Sequence, residues 1–204
     1  MTKDNHLAGE TYVVLVKNHS CGDTFFDDAC LDYYQCRLRY NLTVYHVSLH
    51  AYCLLKSAAL LLLTPATPLG TGRLLEAVNA RYSEYYEQRF SRRLTPQSWT
   101  SRSTRLRGHG QVLEYQRLVE SVPLISGLVR HPGSHHWTSY CSNALSSAGW
   151  LTPHRGAMGL LRRAAGGRTQ YREIFESGFD AVRASALLRN LGAEGSILSA
   201  RSYR

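Results

Sequence analysis

No apolar run in this 204-residue chain approaches the roughly 18 residues needed to cross a membrane, and Ala58 to Leu63 is far too short. The N-terminal stretch MTKDNHLAGETY has no apolar secretion core, so a cytoplasmic, nucleoid-associated protein with no membrane partner is expected. The five cysteines, Cys21, Cys30, Cys36, Cys53 and Cys141, are odd in number and show no C-x-x-C spacing. Free thiols and no zinc site follow. Internal repeats and long low-complexity tracts are missing as well. Acidic side chains are scarce, with 15 Asp plus Glu against 24 Lys plus Arg, a formal charge of +9.

What is present is a basic chain long enough for one domain with a substantial core. Its pI near 9.5 favours a polyanionic partner and salt-sensitive phosphate contacts. Most cations are arginines, whose planar guanidinium suits bidentate contact with phosphate or guanine. They cluster. Arg89, Arg92 and Arg93 end one predicted helix, and Arg102, Arg105 and Arg107 follow in the hydroxyl-rich run SWTSRSTRLRG. As a strand, that run places Trp99, Ser101, Ser103, Arg105 and Arg107 on one face, with Arg102 and Leu106 on the other. Guanidinium and hydroxyl groups there would hold a backbone while Trp99 stacks on a base. The plainer alternative is a solvated loop with a core tryptophan. A third cluster holds Arg155, Arg162, Arg163 and Arg168.

Nine histidines invite a search for a metal site. On a strand His46 and His50 face the same side about 13 Å apart, too far for one ion. His135 and His136 are neighbours that diverge, with a surface loop as their expected setting. Neither pair makes a metal site, and no cofactor is expected.

The apolar periodicity predicts strands over Thr11 to Lys17, Thr43 to Leu54, Ala58 to Thr64 and Gln97 to Leu106. Helices are predicted over Asp27 to Tyr40, Leu69 to Arg92 and about Gly110 to Ser121, the last stopping before Pro123. The order β-α-β-β-α-β-α is that of an α+β, ferredoxin-like antiparallel sheet with helices packed on one face. After Arg163 the run Ala164-Ala165-Gly166-Gly167 marks a break. Tyr171 to Arg189 then has the spacing of one or two amphipathic helices, docked on the domain, followed by a short basic tail, GSILSARSYR. The expected division is therefore a domain over 9–163 and a helical extension over 164–204.

The segment YCLLKSAALLLLTP, Tyr52 to Pro65, resembles a strand of the REP-associated tyrosine transposases, a branch of the single-tyrosine HUH nucleases, in which it runs roughly Y-x-L-M-P-N-H-x-H-L-L-L-T-P. Other segments resemble the family in the same order. They are ETYVVLV from Glu10, Phe25-Phe26-Asp27-Asp28, Leu49-His50-Ala51-Tyr52, RLVESVPLISGLV from Arg117, His136-Trp137-Thr138-Ser139-Tyr140, and Trp150-Leu151-Thr152-Pro153. The likeness spans residues 9 to about 162. It implies the same ferredoxin-like fold and a DNA partner.

The resemblance also shows what has been replaced. The two metal-binding histidines of the family correspond to Ala58 and Leu60, the nucleophilic tyrosine to Leu118, and a polar group that completes the metal site to Val122. Hydrocarbon offers no lone pair to a hard cation and cannot attack phosphorus. Tyr115, one turn before Leu118, is the alternative nucleophile, but a phenol with a pKa near 10 attacks poorly at neutral pH without a metal. Leu60, Leu118 and Val122 are expected to meet and close the cleft. The leading expectation is a catalytically inactive, transposase-like protein that binds a DNA hairpin or single-stranded DNA as a regulator or accessory factor. The alternatives are an active metal-dependent strand transferase using a displaced tyrosine such as Tyr115, and a protein-interaction subunit in which the DNA face meets an acidic protein partner; whether the chain also pairs with itself as a homodimer is left open by the sequence.

Overall fold

The computed structural model describes residues 6–20, 23–25, 27–145, 149–163, 168–176 and 178–192. Four strands, β1 (Tyr12–Asn18), β2 (Val47–Leu55), β3 (Ala58–Pro65) and β4 (Trp99–Arg105), form one antiparallel sheet in the order β2-β3-β1-β4. Helices α1 (Asp28–Val44) and α2 (Gly70–Phe90) make the two crossovers, and α3 (Gly108–Ile125) follows β4. This is the expected α+β architecture. Four further helices complete the described chain: α4 (Tyr140–Leu145), α5 (Arg155–Arg163), α6 (Arg168–Glu176) and α7 (Ala181–Asn190).

β1 and β3 are central and apolar on both sides, so the sheet must be covered twice. Tyr12, Val14, Val16, Ala59, Leu61 and Leu63 meet Leu31, Tyr34 and Leu38 of α1 and Leu74, Val78 and Tyr82 of α2. On the other face, Val13, Leu15, Ala58, Leu60 and Leu62 meet Val112, Tyr115, Leu118, Val119 and Val122 of α3, with Ala157 of α5 and Leu187 and Leu188 of α7. Helices thus pack on both faces. The second layer, which the expectation of helices on one face did not include, comes from α3 and the helices after it.

Several boundaries differ from the sequence expectation for local reasons. The α1 helix runs four residues beyond Tyr40, to Val44, and His46 then turns through a left-handed φ of 52° before β2 begins. His46 is therefore outside the strand on which it was expected. Pro123 lies inside α3, which continues to Ile125. A proline this close to a helix end forfeits one hydrogen bond, and its ring is buried. At the start of α1 the Asp27 carboxylate accepts from the Cys30 amide at 2.9 Å, capping the helix, and also receives Arg89 at 2.7 Å. Replacing Asp27 with alanine is expected to cost about 1–2 kcal/mol through the cap, measured as a fall in the urea midpoint.

Candidate nucleic-acid interface

The four positions that the sequence resemblance aligned with a metal site and a nucleophile lie on the second face of the sheet. Ala58 and Leu60 on β3 and Leu118 and Val122 on α3 are all fully buried in the same apolar cluster. β3 presents them because alternate residues of an extended strand share a face, and α3 crosses that face. Tyr115 belongs to the same cluster and is 1 % exposed. Burial raises its pKa, with Asn190 as its hydrogen-bonding neighbour. A cation beside Ala58 and Leu60 would find methyl and isobutyl groups, so these side chains do not fit a metal. Among the described residues no three His, Cys, Asp or Glu side chains converge as a metal site.

The arginines are distributed along the β4 border of the sheet, which no strand among the described residues extends. β4 is an edge strand, about 20 Å long at roughly 3.3 Å per residue. Arg92 and Arg93 are exposed just after α2, near the Trp99 end, and Arg105 and Arg107 lie at the other end. Arg102 pairs across to Leu15 and Arg105 to Tyr12, which puts their side chains on opposite faces of that border. Arg107 lies past the strand, at the N-cap of α3. Two of these cations are already engaged, Arg89 with Asp27 at 2.7 Å and Arg105 with Glu10 at 2.9 Å. Arg92, Arg93, Arg102 and Arg107 have no acidic partner among the described residues. Near Arg102, Lys17 has its pKa lowered first by burial and then by the Arg102 charge. Arg155 is exposed, whereas the side chains of Arg162, Arg163 and Arg168 lie outside the described residues, as does the tail after Gly192.

Trp99 must be corrected. It is 5 % exposed, packs against Tyr34 and Tyr82, and donates its indole N–H to Ser83 Oγ at 3.0 Å. No base can stack on it, because its alternation along β4 turns it toward the α1 and α2 layer. Ser101 and Ser103 point the same way and are only half-exposed.

The opposite border is closed. The Leu54 amide donates to the Trp137 carbonyl at 2.8 Å and the Ser139 amide to the Tyr52 carbonyl at 3.0 Å. The Tyr52 amide donates to Ser139 Oγ at 2.9 Å, and His135 Nε2 donates to the Leu54 carbonyl at 2.8 Å. Thus His135 is half-buried and structural, while His136 is exposed.

Two polar clusters escaped the sequence reading. Glu120 is fully buried on α3. Its Oε1 accepts from Ser139 Oγ and Asn143 Nδ2, each at 2.6 Å, and its Oε2 from the Tyr171 hydroxyl at 2.5 Å. Burial pushes its pKa up to about 7, while these three donors act in the opposite direction. Four segments are thereby joined: α3, the 138–139 segment, α4 and α6. The second cluster is His50, His154 and His109, with the His154 ring centroid 4.9 Å from that of His50 and 5.8 Å from that of His109. His50 occupies a β-bulge, where the register shifts between Leu49 and Ala51. Its Nδ1–H donates to the Thr152 carbonyl at 2.6 Å and its Nε2 bonds Thr64 Oγ1 at 2.8 Å. Burial lowers its pKa to about 4. The extra residue of a bulge leaves no mark on hydropathy, and the partners of Glu120 lie 19 to 51 positions away.

A solved REP-associated tyrosine transposase, determined bound to a REP hairpin, superimposes with a TM-score of 0.58 at 9 % identity, covering 74 % of this chain and 92 % of the transposase chain. The two share a fold. At this identity the likeness to the transposase carries architecture, and the chemistry must be read from this chain's own residues. No family model and no curated protein matches the sequence.

Proposed function

We propose that this chain is a transposase-like nucleic-acid-binding protein that has lost strand cleavage and recognises a DNA hairpin or stem-loop as a regulator or accessory factor. The observation that carries the reading is the pairing of a sealed hydrocarbon cluster at Ala58, Leu60, Leu118 and Val122 with an arginine-lined sheet border. Sealed apolar contacts give the fold stability, about 1.5–3 kcal/mol for each large side chain buried, and leave no group to polarise or attack a phosphate. Phosphate contacts by Arg92, Arg93, Arg102 and Arg107 supply affinity without chemistry. The hairpin bound by the structural neighbour supports the choice of a folded DNA partner. Nucleoid association belongs to the same reading.

A gel-shift series with folded DNA oligonucleotides tests it. Binding is expected to weaken steeply with salt and to be unchanged by EDTA. Replacing Arg92 and Arg93 together with alanine should reduce the magnitude of the log–log salt slope by about 2, roughly one for each guanidinium removed from a phosphate. Absence of binding to any nucleic acid at low salt would refute the reading. A covalent protein–DNA adduct formed with manganese would restore the strand-transferase alternative through a residue such as Tyr115.

A further inference from the structure

The described residues contain a cavity of about 330 Å³ between α3 and the helices after it, lined by Gly110, Leu113, Glu114, Arg117, Ile174, Phe179, Asp180 and Arg183. None of the arginines of the β4 border lines it, nor do Ala58, Leu60, Leu118 or Val122. Its walls combine two kinds of surface. Leu113, Ile174 and Phe179 are apolar, and the Arg117 guanidinium lies over the Phe179 ring at 5.0 Å, making a flat cation–π wall. The Arg117 guanidinium also bonds the Gly178 carbonyl, which fixes that wall in place. Glu114 receives Arg183 through two hydrogen bonds, at 2.6 and 3.0 Å. Asp180 caps α7, with Oδ1 accepting from the Val182 amide at 2.8 Å and the Arg183 amide at 3.3 Å, while Oδ2 accepts no hydrogen bond from a described residue.

We infer that this cavity receives one unpaired nucleobase, guanine in preference to the others, from the loop or flank of the bound nucleic acid. The inference rests on the nucleic-acid-binding reading for its biological setting and on the cavity for its chemistry. Bases splayed out of a strand are held by stacking on aromatic rings or guanidinium planes and by hydrogen bonds to their edges. The Arg117–Phe179 wall is such a surface. Guanine presents N1–H and N2–H donors on one edge, which match the free Asp180 oxygen. Its O6 and N7 acceptors match a guanidinium such as that of Arg183. Cytosine and thymine offer less stacking area, and adenine places an acceptor, N1, where guanine has a donor.

Methyl-detected NMR of the whole protein with each of the four deoxynucleoside monophosphates tests the cavity directly. At millimolar concentration dGMP is expected to shift the Leu113 and Ile174 methyl signals, with dCMP, TMP and deoxyribose 5-phosphate leaving them in place. Asp180→Asn keeps the helix cap, since asparagine caps as well as aspartate, and should abolish the dGMP preference at least tenfold. Phe179→Ala should remove the dGMP shifts. No shift, equal shifts with every nucleotide, or an unchanged preference in Asp180→Asn would overturn the inference. A parallel gel shift with dT4-loop hairpins carrying one dG or an abasic site separates the two readings. Hairpin binding without dependence on the loop base, and without dGMP shifts, removes the pocket alone. dGMP shifts without hairpin binding remove the hairpin reading alone.

Discussion

Placing a tyrosine at position 118 by Leu118→Tyr is expected to destabilise the protein by about 2–6 kcal/mol and to produce no DNA adduct. Leu118 is fully buried among Leu60, Val119, Val122 and neighbouring side chains of the same cluster. A phenol ring there over-packs a core that already has no room, at about 1–3 kcal/mol. Its hydroxyl would also be buried without a partner, at a further 1–3 kcal/mol or so. Adding Ala58→His and Leu60→His would deepen the loss, because each imidazole replaces hydrocarbon in a site shut off from water. Urea denaturation reads the change as a lower midpoint at constant slope. If the triple variant were as stable as the parent and gained thermal stability from manganese, the cluster would not be the sealed core described above.

Glu120→Gln has the second large expected effect, and it appears as a change in pH dependence. In the unfolded chain the Glu120 carboxyl ionises near 4.5, and in the folded protein near 7. Between these values the native state holds a proton that the unfolded state has lost, so stability falls as pH rises through this window and levels off above it. The span corresponds to about 3 kcal/mol. Glutamine has no such proton, so the variant should gain on the parent by about that amount between pH 4.5 and 7. His50 acts in the opposite sense. Its folded pKa of about 4 lies below the unfolded 6.5, so stability is lost as pH falls from 6.5 toward 4. In the parent the two slopes oppose each other over pH 4.5 to 6.5, and removing Glu120 should leave the histidine slope uncovered. Parallel midpoint curves for parent and variant would show that Glu120 does not carry a raised pKa.

The order of elements was legible because each carries its own local signal. The alternation in YVVLV, the helical spacing of Leu74, Val78 and Tyr82, and the Lys56-Ser57 turn all act over a few residues. The continuous apolar run of β3 also contained a message that a one-faced fold could not explain. A strand without polar alternation is covered on both sides, and the structure supplies that cover through α3, α5 and α7. The candidate site was legible only in part. Which arginines stand free of acids depends on Glu10 and Asp27, residues distant in sequence from their partners Arg105 and Arg89. Trp99 was misassigned for a different reason. Face alternation was read correctly, but the cluster of tyrosines on α1 and α2 that claims this face becomes visible only once the helices are docked.

The two long borders of the sheet are unequal, and this limits how the molecule can associate. Along β2 the chain's own 135–152 stretch occupies the backbone groups of Leu49, Tyr52 and Leu54, so a visiting strand finds nothing to bond. Among the described residues, the β4 side carries no such backbone cover. A unit with a single accepting side can join one like unit about a two-fold axis, and both copies are then satisfied. Edge pairing of this kind ends at two and cannot propagate into a fibre.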